Sequence, residues 1–446
     1  IETLQSFIQS QDATVELRYK LADLLTKNGQ LEQSNAIYGS IIRQYGTDEP
    51  SHYRRYLNFS QLGQKDSALV ELQALSDINP MDAQLRYSLA EMQLSMGNTN
   101  AAEQTLLSLL DRNLNDAAAY RLLVKLYVNN QSEASLDSLT YRVLKSEDLG
   151  FLPKEQYVRY MISQFESMEL DQRIHGLKKI TIYVRVLIEN HPKQSDAYVL
   201  LGSLHNVLNE PDEAKNHFEK AVQLNAANQN AWLELVQLYL ATGSFSTLIN
   251  RADQIDQAVP ENAFVEYAIG AAHFSTQNYS QAINWLKKAT YAPARREFKS
   301  VIHTIMGDAY HQIDNWDSAA EAYNTAIKLD PNNATALNNY AYYLSVRGEK
   351  LNEAKLMSKK SLDIEPENPS FLDTYGWILY QNELYEEAKV FIQKAIDAGG
   401  GSAEVYEHLG DVYEKLNNLD EAKLWWKKAL EMEPTRTHLK QKMGYE

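Results

Sequence analysis

The 446-residue chain is 44% hydrophobic, contains no cysteine and carries a formal net charge of −16. Lacking cysteine, it has no disulfide, thiolate metal site or thiol nucleophile, and no apolar run reaches the roughly 18 residues of a membrane span. Phosphate binding needs a basic stripe, whereas the cationic pairs Lys178–Lys179, Lys287–Lys288, Arg295–Arg296, Lys359–Lys360 and Lys427–Lys428 are short solvated helix faces, so nucleic acid is excluded as the main ligand.

Residues 1–127 read as diluted helical hairpins. Ala22 and Tyr38 mark the first, Ala68 and Pro80 the second, Leu89, Ala90 and Ala102 the third, and Tyr120, Leu123 and Tyr127 the fourth. Residues 128–194 break the pattern. Pro153 opens one helix there and another ends before Pro192, which predicts an irregular hairpin and a subdomain junction. From 195 to 446 the cadence is sharp: Ala214, Ala282, Ala319, Ala354, Ala388 and Ala422 each open an apolar stretch. Prolines keep the same time, Pro192 to Pro260, Pro331 to Pro366 and Pro366 to Pro434 being one or two periods apart. A period near 34 residues predicts stacked helical hairpins, each needing its neighbours to bury its apolar faces.

Two units show what the period encodes. Met306, Gly307 and Tyr310 in one match Leu409, Gly410 and Tyr413 in the other, and Ala319, Tyr323, Ala326 and Pro331 match Ala422, Trp426, Ala429 and Pro434. Small residues let two helices approach, an aromatic fills the space beyond them, and proline stops the second helix. Position by position, this resembles the tetratricopeptide repeat family. The resemblance implies an all-α, right-handed superhelical solenoid of about twelve hairpins, acting as a non-catalytic scaffold or adaptor.

Catalytic patterns are missing. The histidines fall in neither an HExxH pair nor a Gly-x-Ser-x-Gly turn, and His303 and His311, two turns apart on one helix, stand about 12 Å from each other and cannot share one ion. Gly399–Gly401 lacks the Lys-Ser or Lys-Thr of a phosphate loop and reads as a turn. We therefore expect no catalytic residue, no cofactor and no metal.

The family resemblance places ligand contacts on the first helix of each hairpin, facing a groove. Carried onto this sequence, it selects Phe264, Tyr267 and Phe274, then Thr304, Asp308 and His311, then Asn338 and Tyr342, then Asp373, Trp377 and Tyr380, and last Glu407 and Asp411, beside Glu404 and Glu414. These describe an aromatic trough turning acidic toward the carboxyl end. Asp308, Tyr342, Trp377 and Asp411 stand where relatives that clamp a terminal carboxylate use basic residues and asparagine, so the expected partner is a protein, peptide or helix of basic character with apolar anchors. Glycan or peptidoglycan stacking on the same rings is the alternative. The absence of cysteine, the abundance of tyrosine and three Asp-Ser-aliphatic triplets at Ser67, Ser138 and Ser318 resemble exported proteins of Gram-negative bacteria. This favours a bacterial cell envelope over the cytoplasm, with the sequence from Ile1 read as a processed or trimmed product held at a membrane, if at all, by a missing leader or a partner.

Overall fold

Among the described residues, eleven hairpins turn through a residue with left-handed backbone, and those residues set the clock. Gly29, Gly63, Gly97 and Gln131 have φ of 76°, 71°, 77° and 53° and follow one another at 34-residue intervals. Asn209, Gly243, Gln277, Asp314, Gly348, Glu383 and Asn417 repeat the conformation. At each, the next amide donates back to a carbonyl of the preceding helix's last turn, as from Gln30 to Leu25 (2.9 Å), Ser132 to Tyr127 (2.8 Å) and Leu384 to Leu379 (2.9 Å). This closes a Schellman motif and satisfies carbonyls the helix end would otherwise leave bare.

The structure, a computed structural model, describes residues 14–444; residues 1–13 of the expected amino-terminal segment, and residues 445–446, lie outside them. The described residues form helices without strands. The hairpins of the first part are α1 (Val15–Lys27) with α2 (Leu31–Tyr45), α3 (Glu49–Gln61) with α4 (Lys65–Ile78), α5 (Ala83–Ser95) with α6 (Thr99–Arg112), α7 (Ala117–Asn129) with α8 (Glu133–Lys145), α9 (Phe151–Glu166) with α10 (Leu170–Asn190), and α11 (Ser195–Val207) with α12 (Pro211–Leu224). Then come α13 (Gln229–Ala241) with the broken pair α14 (Phe245–Asn250) and α15 (Ala252–Ala258), α16 (Ala263–Ser275) with α17 (Tyr279–Tyr291), α18 (Arg296–Gln312) with α19 (Trp316–Leu329), α20 (Ala334–Val346) with α21 (Leu351–Ile364), α22 (Pro369–Gln381) with α23 (Tyr385–Asp397), and α24 (Ala403–Lys415) with α25 (Leu419–Met432). A short α26 (His438–Lys442) follows. The described residues thus make twelve hairpins and one added helix.

First helices begin on a second clock. Asp48, Asp82 and Asp116, again 34 residues apart, accept amide hydrogen bonds at the starts of α3, α5 and α7; Asn228, Asn262, Asn333, Asn368 and Ser402 do the same for α13, α16, α20, α22 and α24. Such caps satisfy orphan helix donors and stabilise by about 1 kcal/mol each.

Within a hairpin, a small residue on the first helix meets a large one sixteen positions on. A Cβ built on Gly202 would lie 2.5 Å from Phe218, on Gly270 2.7 Å from Leu286, on Gly307 2.7 Å from Tyr323, on Gly376 2.5 Å from Ile392, and on Gly410 2.4 Å from Trp426. Glycine is required there by packing, since these are helical positions with no call for left-handed backbone.

Contacts divide the chain into two compact units, one ending at Leu224 and one starting at Asn225. In the first, the segment expected to be irregular runs through a continuous core. Tyr157, Leu177 and Val184 of α9 and α10 join Leu123 and Leu136 before them and Leu201 after them in one buried cluster. The α9–α10 hairpin does depart from the rest: its second helix, at 21 residues, is longer than any other described, and the interlock is reversed, with Gly176 on the second helix against Phe165 on the first.

Candidate partner-binding face

In the second unit, successive first helices α16, α18, α20, α22 and α24 touch one another, while each second helix reaches forward to the next first helix. The residues expected to contact a partner lie on this closer-packed layer. None of the thirteen is fully exposed, and they fall into groups with different employment.

Three are used in building the hairpins. The Tyr323 hydroxyl on α19 donates to Asp308 on α18, and the Trp426 indole on α25 donates to Asp411 on α24 at 2.8 Å. In each case the carboxylate follows the interlocking glycine and ties down the polar tip of the aromatic that fills the glycine's space. The amino-terminal unit has the same device, Tyr38 donating to Asp23 at 2.6 Å. Asp308 also accepts from Asn339 at 3.1 Å; burial, only partly countered by these two donors, pushes its pKa up to about 6. Thr304 is buried, donating to the Ser300 carbonyl at 2.9 Å and accepting from Asn333, the cap of the next first helix, at 3.1 Å.

The expected acidic end is met by countercharge. Arg436 and His438 reach Glu407 at 2.6 and 2.8 Å, and Lys442 reaches Asp411 at 2.6 Å. Leu439 and Met443 anchor the α26 segment on Ala422, Trp426 and Ala429. Glu407 is held below the usual carboxylate range because donors from His438 and Arg436 outweigh its burial. Glu407 and Asp411 are therefore occupied by the chain's own cations, which corrects the reading of this end as an open acidic surface.

The expected aromatics are half-buried in ring pairs. Tyr267 meets Phe298 edge-on at 5.2 Å, Phe274 meets Tyr279 at 5.5 Å, and His311 lies 3.8 Å from Tyr343. Phe264 lines a cavity of about 370 Å³ with Arg295 and Phe298. Burial lowers the His311 pKa.

Asn338, Tyr342, Asp373, Trp377 and Tyr380 come together. Trp377 lies nearly parallel to His408, at 4.1 Å and 20°, and to Tyr380, at 4.8 Å and 14°. His408 Nδ1 stands 3.1 Å from both oxygens of Asp373. Burial opposes the imidazolium charge, but Asp373, aided by Glu404 and Asp411, outweighs it and raises the His408 pKa. Tyr342 donates across α22 to Glu404 on α24 at 2.5 Å. A cavity of about 490 Å³ is lined by Asn338, Tyr342, Tyr343, Asp373, Glu404 and the Gly399–Gly401 turn. Two buried polar atoms here have no partner, Asn338 Oδ1 and Trp377 Nε1.

The sequence did not single out His408 or Tyr343. His408 stands 35 residues after Asp373, one period on, and that offset was the available hint. Among the described residues no cluster of His, Asp or Glu has the arrangement of a metal site, and no helix is long and apolar enough to cross a membrane.

Models of the tetratricopeptide repeat match residues 16–47, 61–126, 208–246 and 403–436, and a TPR repeat model matches 307–344. The chain thus carries tetratricopeptide repeats in both units, within an all-α array of helix pairs of the kind that mediates protein–protein interaction. Among particular proteins, it is 25% identical over 248 residues to the BBSome complex member BBS4 of Bos taurus, covering 46% of this chain and 48% of that protein. It is 33% identical over 85 residues to the TPR repeat-containing protein PA4667 of Pseudomonas aeruginosa, 19% of this chain and 14% of that one. The match thus spans less than half the length of either relative. The solved APC/C hetero-tetramer Cut9–Hcn1 aligns over 96% of this chain and 89% of that one, at 14% identity and a TM-score of 0.47.

Proposed function

We propose that the chain is a non-catalytic scaffold that holds a segment of a protein partner on the first-helix layer of its second unit, centred on α20, α22 and α24. The observation that carries this is the juxtaposition of the Trp377 stack with a polar cavity lined by Asn338, whose buried Oδ1 stands unpartnered. Large rings beside a polar recess offer an apolar anchor and a point of specificity, as partner-binding surfaces do. The partner is an extended peptide or helix with apolar anchors and basic character. A glycan would need the ring faces of Trp377 that His408 and Tyr380 already cover, which favours the peptide reading. For location, the lack of cysteine and the Asp-Ser-aliphatic triplets support a bacterial cell envelope, within an assembly or secretion complex.

The test is affinity capture with wild type and the Tyr342→Ala, Trp377→Ala, Tyr380→Ala triple variant, with melting followed by circular dichroism. Loss of one captured protein at retained helicity supports the reading. Equal capture by both chains, or collapse of the fold, rejects it.

A further inference from the structure

We propose that the cavity bounded by Asn338, Tyr342, Asp373 and Glu404 takes a cationic side chain, arginine or lysine, of the partner segment; this rests on the scaffold reading above and specifies its chemistry. The lining is rich in acceptors, and no Lys, Arg or His contributes to it.

The Asn338 amide decides the polarity of the site. Asn339 Nδ2 donates to Asp308 at 3.1 Å, which fixes that amide and leaves its oxygen as an acceptor. Asn338 Nδ2 donates to this oxygen at 3.4 Å, so Asn338 Oδ1 must face away. Asn338 is only 5% exposed, and Oδ1 has no partner. A buried acceptor without a donor is destabilising, and a ligand N–H that reached it would remove that cost.

Two carboxylates supply the charge. An ionised carboxylate can accept at about four sites. His408 donates to Asp373 through one nitrogen, and Tyr342 occupies one oxygen of Glu404, so capacity is left on both. Tyr342 and Tyr343 add ring surface beside which a guanidinium or ammonium is attracted. The glycine turn keeps its wall bare by packing: a Cβ on Gly400 would lie 2.5 Å from Pro369, and one on Gly401 2.5 Å from the Tyr406 hydroxyl. At about 490 Å³ the space holds one long side chain and its adjoining backbone. Acceptors on three separate residues suit the planar five-donor fork of arginine better than the point charge of lysine.

The experiment titrates the full chain with acetyl-Ala-X-Ala-amide, X being arginine, lysine or norleucine, and follows the Trp377 indole N–H by NMR. With six tryptophans in the chain that region is uncrowded, and Trp377→Phe assigns the signal. The arginine peptide is expected to shift the resonance saturably, the lysine peptide more weakly and the norleucine peptide not at all. Glu404→Gln and Asn338→Leu should each weaken arginine binding about tenfold, the loss of one charge-assisted hydrogen bond or its acceptor. Asn338→Leu should melt at or above the wild-type temperature, because it removes a buried oxygen without a donor and loses only the long bond to Asn339; a purely structural asparagine would melt lower. Equal binding of arginine and lysine places the recognition in charge and still supports the site. Norleucine binding as well as arginine, no saturable shift with any peptide, or unweakened binding in both variants overturns it. If both variants still capture the protein partner while the Tyr342, Trp377, Tyr380 replacement does not, the cavity proposal falls and the scaffold reading stands.

Discussion

In the unit ending at Leu224, the residues at the crossing point of successive hairpins are Ala22 with Tyr38, Tyr56 with Leu72, Ala90 with Leu106, Val124 with Thr140 and, after the α9–α10 hairpin, Gly202 with Phe218. In the unit from Asn225, the α20–α21 hairpin with its longer turn aside, they are Val236 with Ala252, Gly270 with Leu286, Gly307 with Tyr323, Gly376 with Ile392 and Gly410 with Trp426. Tyr56 with Leu72, where both are large, stands apart; elsewhere a small first residue meets a large second one, and a valine meets a smaller partner. The second unit mostly keeps the extreme form, glycine against a bulky side chain; the first keeps glycine only at Gly202 and otherwise begins the pair with alanine, valine or tyrosine. What most hairpins conserve is the summed volume at the crossing and the turn geometry, and the identity of either side chain is secondary.

The largest test of that statement is at Gly202 and Phe218. Phe218 is fully buried, so Phe218→Ala should cost about 4 kcal/mol. Adding Gly202→Val, to copy the Val236–Ala252 hairpin, should recover about 1–3 kcal/mol as a favourable coupling. Urea unfolding followed by circular dichroism measures both. If the double variant is as unstable as the sum of the singles, volume is not what the crossing conserves.

Next is Gly410→Val, expected to cost about 3 kcal/mol, because its Cβ would lie 2.4 Å from fully buried Trp426 and would break that ring's bond to Asp411. Ala22→Gly, at the equivalent place in the first unit, should cost only about 1 kcal/mol in helix propensity. All six tryptophans lie in the second unit, so their fluorescence reports its unfolding separately. Comparable losses at the two sites would erase the distinction between the units.

Asp308 separates the units by pH. Asp23, its counterpart, is 42% exposed beside Arg54, whereas Asp308 is walled in by Tyr323 and Asn339. Its folded pKa of about 6 exceeds the ordinary value of 3.8. Between those values the folded chain holds a proton that the unfolded chain has released, so stability falls as pH rises through the window and the loss is complete above about 6. Asp308→Asn should reduce the stability difference between pH 4 and pH 7.5 by about 2–3 kcal/mol, read by tryptophan fluorescence in urea. An unchanged difference would show that Asp308 is not the titrating group.

Much of this was legible in the sequence. Gly307, Tyr323, Gly410 and Trp426 gave the interlock because glycine and an aromatic at fixed spacing have few other uses. The first unit was harder to read because Val124 with Thr140 keeps the volume and loses the residue types, and Tyr56 with Leu72 keeps neither. Its true markers were Gly29, Gly63 and Gly97 and the caps Asp48, Asp82 and Asp116, all on the 34-residue clock. At the candidate site, a helix position says which face a carboxylate occupies but not whether a ring from the partner helix reaches it. Helix position alone therefore makes Asp308 and Asp411 ligand contacts, although Asp23 with Tyr38 carries the same device in the sequence. Arg436, His438 and Lys442 could not be matched to Glu407 and Asp411 without the path of the chain after Pro434.

The smallest effects lie in the turns, and they carry the comparison furthest. Gln131 closes a hairpin in the first unit and Glu383 one in the second, at φ of 53° and 62°, where a Cβ is strained by about 1 kcal/mol. Glycine there relieves the strain at some cost in unfolded-chain entropy, so Gln131→Gly and Glu383→Gly should each stabilise by about 0.5 kcal/mol. Gly63→Ala and Gly348→Ala should each lose about 1 kcal/mol, since their φ of 71° and 67° leaves alanine the same strain with no entropy to offset it fully. Neither Gly63 nor Gly348 has an atom within 4 Å of an added Cβ, so packing does not confuse the measurement. If the turn is the common element, each kind of change should have the same sign and size in the two units whatever the crossing residues are. A turn substitution that matters in one unit and not in the other would mean that the side chains, and not the backbone clock, hold the less regular half together.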